Sequence, residues 1–162
     1  MQTVTEINTI EDERRRIIFN VINKDPGLRY RELLRLTGFS NGSLEHHLSI
    51  LEKTKTIQVH RQKKCKITRY YSKNVSTEES MIIGRIKQKT AYKIIAFILK
   101  KNLCTFAEIL KHIRKARSTL SWHLKRLIGV GIIQLVPIGR YNSYRIINVD
   151  MVSMIINKMI RV

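Results

Sequence analysis

Three groups of side chains in this chain are suited by type and spacing to meet a polyanion. Ser118, Thr119, Ser121, Trp122, Lys125 and Arg126 lie within one short stretch, with Arg117 just before it. On a helix advancing 100° per residue, with the apolar side set by Leu120 and Leu127, these six share the outward face. That face offers cations for phosphates, hydroxyls for phosphates or base edges, and an indole. An earlier stretch, Ser40, Asn41, Gly42, Ser43, Glu45, His46, Ser49 and Ile50, has the same layout but a different chemistry. Its carboxylate repels a phosphate, yet a Glu accepts a hydrogen bond from cytosine N4, so Glu45 can read a base. The third group is Arg61, Lys63, Lys64 and Lys66, four cations in six residues, and Arg140 stands at the matching place later in the chain.

Covalent chemistry has no comparable support. The chain shows no nucleophile beside a base, no Gly-rich phosphate loop and no paired carboxylates. Its 12 acidic residues fall mostly at helix starts, so an enzyme is not expected. His47 and His123 sit beside apolar stripes, where a core-edge histidine hydrogen-bonded to the fold is the simpler expectation than a metal ligand. His60, Cys65, Cys104 and His112 lack ligand spacing, so neither a metal nor another cofactor is expected, and both cysteines should be free thiols.

Charge narrows the partner. Against those 12 acids stand 31 Lys and Arg, a formal net charge of +19 over 162 residues, which points to nucleic acid. The cations lie in turns and hairpins as much as on helices, unlike an interfacial amphipathic helix, so a membrane is not the expected partner. No run of 18 apolar residues occurs, and the first residues lack the basic and apolar regions of a signal peptide, which places the expected location in the cytoplasm.

The elements that must position these groups come in two copies. Sliding the sequence by 76 positions lays Ser43, Leu44, His47 and Leu48 on Thr119, Leu120, His123 and Leu124. The register extends to Ile18 on Ile94, Ile22 on Ile98, Glu32 on Glu108, Leu51 on Leu127 and Ile57 on Ile133. Each copy reads as a short helix, a turn and a second helix with apolar spacing i, i+4, i+7, followed by an apolar strand and a basic hairpin. The pattern Ser-Leu-x-x-His-Leu-x-x-Leu-Glu, its partner Thr-Leu-x-x-His-Leu-x-x-Leu, and the strand pair after each resemble the winged helix-turn-helix domains of ArsR/MarR-type archaeal and bacterial transcription regulators. The resemblance covers about residues 10 to 150 and implies that each second helix enters a major groove, while each hairpin, the wing, reaches phosphates or the minor groove.

The expected fold is therefore mainly α with small β hairpins: two tandem winged helix-turn-helix units joined by a long helix, plus a C-terminal helix. Residues 1–75 form one domain and 76–162 the linker helix, second domain and terminal helix. Residues 1–9 read as a loose arm, and a helix from Thr9 stops at Pro26 and Gly27. A second helix ends at Gly38, and Ser40 caps the third. Ser76 with Glu79 opens a helix expected to continue through about Lys101, because Gly84 is the one breaker in it. Thr105 with Glu108 is another capping box. The replacement of Gly38 by Arg114 and of Gly42 by Ser118 departs from the family pattern at the second turn. Residues 149–160 form an apolar helix that either packs on the second unit or seals a homodimer.

The reading that follows is a sequence-selective regulator of transcription bound to double-stranded DNA. Three rivals stand beside it: a non-specific architectural protein of chromatin, a winged-helix protein-interaction module of the transcription machinery, and a small-molecule or redox sensor.

Overall fold

In the computed structural model the backbone is described for residues 4–62 and 66–160, with side chains from residue 11 onward within those ranges. Helix α1 (Val4–Lys24) occupies most of the stretch expected as a loose arm. The reason lies in the residues themselves: no Gly or Pro interrupts them before Pro26, and Val4 and Ile7 continue the helical spacing backward from Ile18 and Ile22. Arg15 pairs with Glu11 and Asp12, and Arg16 with Glu13, ion pairs at i, i+3 and i, i+4 that support an exposed helix.

Backbone contacts divide the chain into two compact units, residues 1–80 and 81–161. In the first, α1 packs on α2 (Tyr30–Thr37), α3 (Asn41–Lys53) and the antiparallel hairpin of β1 (Ile57–Gln62) and β2 (Ile67–Ser72). Gly38 ends α2 at φ 69°, its N–H donating to the Leu34 carbonyl, and Ser40 caps α3 by accepting from the Ser43 N–H. The core gathers Ile18, Ile22, Leu28, Leu33, Leu44, Leu48, Leu51, Ile57 and Tyr70. Arg69 is buried on β2 and donates to the Gly27 carbonyl at 2.6 Å, which ties the hairpin to the turn at Pro26 and Gly27.

The single long helix expected after Ser76 is two: α4 (Thr77–Ile86) and α5 (Lys89–Lys101). The capping box at Ser76 and Glu79 forms, with both reciprocal hydrogen bonds, but Gln88 is extended at φ −96° and ψ 113°. No breaker marks this place; the phase of the buried stripe does. Ile82, Ile83 and Ile86 are buried in α4, and Ala91, Ile94, Ile95 and Ile98 in α5. At 100° per residue the two stripes differ by about 120°, so one straight helix could not bury both.

In the second unit α5 packs on α6 (Phe106–Ile113), α7 (Arg117–Gly129) and β5 (Tyr141–Ile146), which pairs with β4 (Ile133–Ile138). A short strand, β3 (Cys104–Thr105), adds to the other edge of β5. Thr105 and Glu108 make the expected capping box. Arg114 takes the left-handed conformation that Gly38 holds in the first unit, at φ 54° and ψ 47°, and its N–H donates to the Leu110 carbonyl. A non-Gly residue there carries steric cost, yet the turn closes in the same way. Buried residues recur 76 positions apart: Ile18 and Ile94, Ile22 and Ile98, Leu33 and Ile109, Leu44 and Leu120, Leu48 and Leu124, Leu51 and Leu127. Helix α8 (Val149–Ile160) buries Val152, Ile155 and Ile156 and leaves Val149, Met154 and Ile160 exposed. No helix among the described residues is long and apolar enough to cross a membrane.

Candidate nucleic-acid interface

Helix α7 presents its face because Leu120, Leu124 and Leu127 are drawn into the core. Arg117, Ser118, Ser121, Trp122 and Lys125 are exposed as the wheel requires, while Thr119 is half-buried. Arg126 is half-buried too, its guanidinium 4.4 Å from the Trp122 ring centroid. That cation–π contact steadies the indole while Trp122 stays 50% exposed. Arg117 lies 5.3 Å from the Phe106 ring centroid. The helix begins at Ala116, which gives no side-chain cap, whereas the amides at the start of α3 meet Ser40. First-turn amides of a helix favour an anion, and here Arg114, Lys115 and Arg117 stand exposed around them.

Arg114 and Lys115 fall outside the groups read from the sequence, although three cations crowded at a helix start are a usable signal. Arg145 on β5 is a further exposed cation of this unit outside the candidate set. From residue 80 to residue 149 the chain has a single acid, Glu108. Its carboxylate accepts from the Thr105 N–H and hydroxyl, both at 2.8 Å, and those bonds hold it below the usual carboxylate pKa.

Helix α3 is built alike and lined differently. Glu45, His46 and Ser49 are exposed, and Ser43 is half-buried with its hydroxyl 3.4 Å from an Arg14 nitrogen that donates to it. Asn41 accepts from the Tyr30 hydroxyl through its carbonyl at 3.1 Å. A polar groove of about 580 Å³ opens here, lined by Tyr30, Asn41, Glu45, Ser49, Glu52, Arg61 and Tyr70. Arg61 is not held out at the hairpin tip: it donates to both carboxylate oxygens of Glu52, at 2.6 and 2.7 Å. That hydrogen-bonded pairing holds the Glu52 carboxyl below its usual range. Lys66 is exposed at the hairpin, at φ 48°, and Lys63, Lys64 and Cys65 lie outside the described residues. Arg140 is exposed at the tip of the second hairpin.

The histidines divide. His47 is 2% exposed, and among the described residues its Nδ1 has no hydrogen-bond partner, unlike the bonded histidine expected at the core edge. The apolar stripe of α3 pulls the ring in without offering a polar neighbour at that atom. His60 Nδ1 lies 3.2 Å from the Ser80 hydroxyl, whose one proton is donated to the Thr77 carbonyl at 2.7 Å. Burial lowers the pKa of His47, His60 and His123, and neighbouring cations add to this at His47 and His123. Native protein thus resists protonation that the unfolded chain accepts near its ordinary value of 6.5. Stability is complete above that pH and is lost as pH falls through it toward the depressed native values. Thermal unfolding is expected to drop between pH 7.5 and pH 5. His47→Leu with His123→Leu should flatten that dependence, and an equally steep fall in the double variant would refute it. Among the described residues no three His, Cys, Asp or Glu are grouped to hold a metal ion.

Residues 89–134, from the start of α5 into β4, match the family model described as bacterial regulatory protein, arsR family, and form a helix-turn-helix domain of that kind. A comparison with curated protein sequences gives no match. Among solved structures, the transcriptional repressor PagR of Bacillus anthracis is similar at 19% identity and a TM-score of 0.45, over 49% of this chain and 91% of that one. HlyU from Vibrio cholerae is similar at 18% and 0.46, over 52% and 90%. The homodimeric winged helix-turn-helix DNA-binding domain of Mb0332 from Mycobacterium bovis is similar at 14% and 0.46, over 52% and 77%.

Proposed function

We propose, taking the arsR-type helix-turn-helix of residues 89–134 as the premise, that this protein is a sequence-selective regulator of transcription that binds double-stranded DNA with two winged-helix units in one chain. The observation that carries the reading is the exposed face of α7, where Ser118, Ser121, Trp122 and Lys125 stand on the second helix of that motif in a nearly acid-free region. In this reading α7 enters a major groove, and the hairpins β1–β2 and β4–β5 are wings. The burial of residues 76 positions apart, and the same left-handed turn at Gly38 and Arg114, support a second unit of the same kind at residues 1–75.

The two units contribute unequally. Residues 1–75 carry 15 cations and 8 acids, a net +7, and residues 76–162 carry 16 and 4, a net +12. Unit two supplies most of the affinity, and unit one adds selectivity through Glu45, Ser49, its groove and its wing. Selection of bound fragments from random duplex DNA tests the whole: a recovered motif, bound more tightly than random sequence at matched salt, is expected. Absence of any preference would leave an architectural protein. On the selected site Glu45→Ala is expected to relax discrimination at one base pair by about 1–3 kcal/mol while leaving or raising random-sequence affinity. Footprinting that shows Glu45→Ala abolishing all binding would make unit one the main reader instead.

A homodimer completes this reading, with a second copy covering Val149, Met154 and Ile160, the apolar side chains that α8 leaves exposed. Sedimentation of a chain ending at Asp150 should then show a smaller species than the full chain. An unchanged oligomeric state would remove α8 from that role.

A further inference from the structure

The last strand pairs of the two hairpins differ in a way that contact with phosphates does not require. In the second, Ile138 pairs directly with Tyr141 across a connection of two residues, Gly139 and Arg140, with Gly139 at φ 57°. A two-residue turn with Gly at a positive φ in the first central place is a tight, well-defined closure, so the apex is short and stiff. Cross-strand partners share a face, and this pair is left in the open: Ile138 is 47% and Tyr141 74% exposed. In the first hairpin the corresponding pair is Gln62 with Ile67, the latter half-buried.

Charge decides what meets this apex. Arg140 lies between the two apolar residues in the chain and is exposed, and the one acid from residue 80 to residue 149, Glu108, is already occupied by Thr105. A second copy meeting this tip through its own β4–β5 hairpin would bring a second exposed Arg140 and Arg145 to the same place. A duplex brings the opposite charge and, between its base pairs, apolar faces.

We propose that the β4–β5 hairpin is a minor-groove wedge, in which Arg140 enters the groove while Ile138 and Tyr141 press into a base step, part its stacking and bend the duplex. The proposal rests on DNA binding as argued above. Apolar side chains used in this way kink DNA by roughly 20–90°. Pyrimidine–purine steps unstack most easily, so a TA or CA step is expected under the tip, and sequence is selected there through deformability.

The test uses the full chain and a duplex recovered by selection, labelled at both ends for energy transfer and carrying 2-aminopurine at the central pyrimidine–purine step. Wild-type protein is expected to bring the ends closer, as a bend of at least about 20° requires, and to raise the 2-aminopurine emission. Ile138→Ala with Tyr141→Ser is expected to lose most of both signals and keep the thermal unfolding of wild type, since neither side chain is buried. Tyr141→Phe should keep both signals. A selected duplex bound without bending, or bent equally by the double variant, overturns the wedge and leaves DNA binding standing. A change in sedimentation with an unchanged bend assigns the tip to a second copy and also overturns it. Failure to bind any duplex removes the underlying reading, and the wedge with it.

Discussion

Alanine at Arg117 and Lys125 together is expected to weaken binding to every duplex, selected or random, on the order of fifty-fold near 0.1 M monovalent salt. Both side chains are exposed, one at the start of α7 and one two turns on, and neither contributes to the core. Each phosphate that is no longer neutralised takes about 0.9 from the slope of log K against log salt, so the pair should flatten it by about 1.8. Because cations on phosphates position the protein without reading sequence, the ratio of selected to random affinity should hardly change. Titration at several salt concentrations measures both quantities at once. If affinity for the selected site alone collapses and the slope stays the same, these residues read bases, and the division of labour on α7 has to be redrawn.

Leu120→Ala should destabilise the second unit by about 2–5 kcal/mol, the cost of a cavity where a buried leucine stood. Leu120 is wholly buried beneath α7, as Leu44 is beneath α3. A unit of about 80 residues holds roughly 4–12 kcal/mol in total, so the change takes a large share of what keeps α7 folded. Thermal unfolding should fall sharply, with DNA binding lost wherever the unit is no longer folded and retained below that temperature. Leu44→Ala should act in the same way on the first unit. A loss below about 1 kcal/mol at Leu120 would mean that α7 is not seated in the core as described.

Much of the candidate interface is legible from the residues alone, because it depends on local periodicity. Leu120, Leu124 and Leu127 at i, i+4, i+7 decide which side of α7 is buried, and that sets the exposure of Ser118, Ser121, Trp122 and Lys125. Caps are equally local: Ser40, Ser76 with Glu79, and Thr105 with Glu108 each form within three residues of chain. Net charge needs no fold at all, and it points to a polyanionic partner from composition alone.

Other features depend on residues whose partners lie far along the chain. The break at Gln88 has no Gly or Pro to announce it; it follows from two buried stripes about 120° out of phase. Arg69, an ordinary strand cation by sequence, is buried because the Gly27 carbonyl, 42 positions earlier, accepts from it. Arg61 turns from the wing tip to Glu52, and Arg126 turns onto Trp122, since an oppositely charged or aromatic neighbour stands within reach of each. The pairing of Cys104 with Tyr144 adds a third strand too short to carry any period of its own. Periodicity fixes which side of an element faces inward, but the identity of the neighbour on that side is set by how the elements meet.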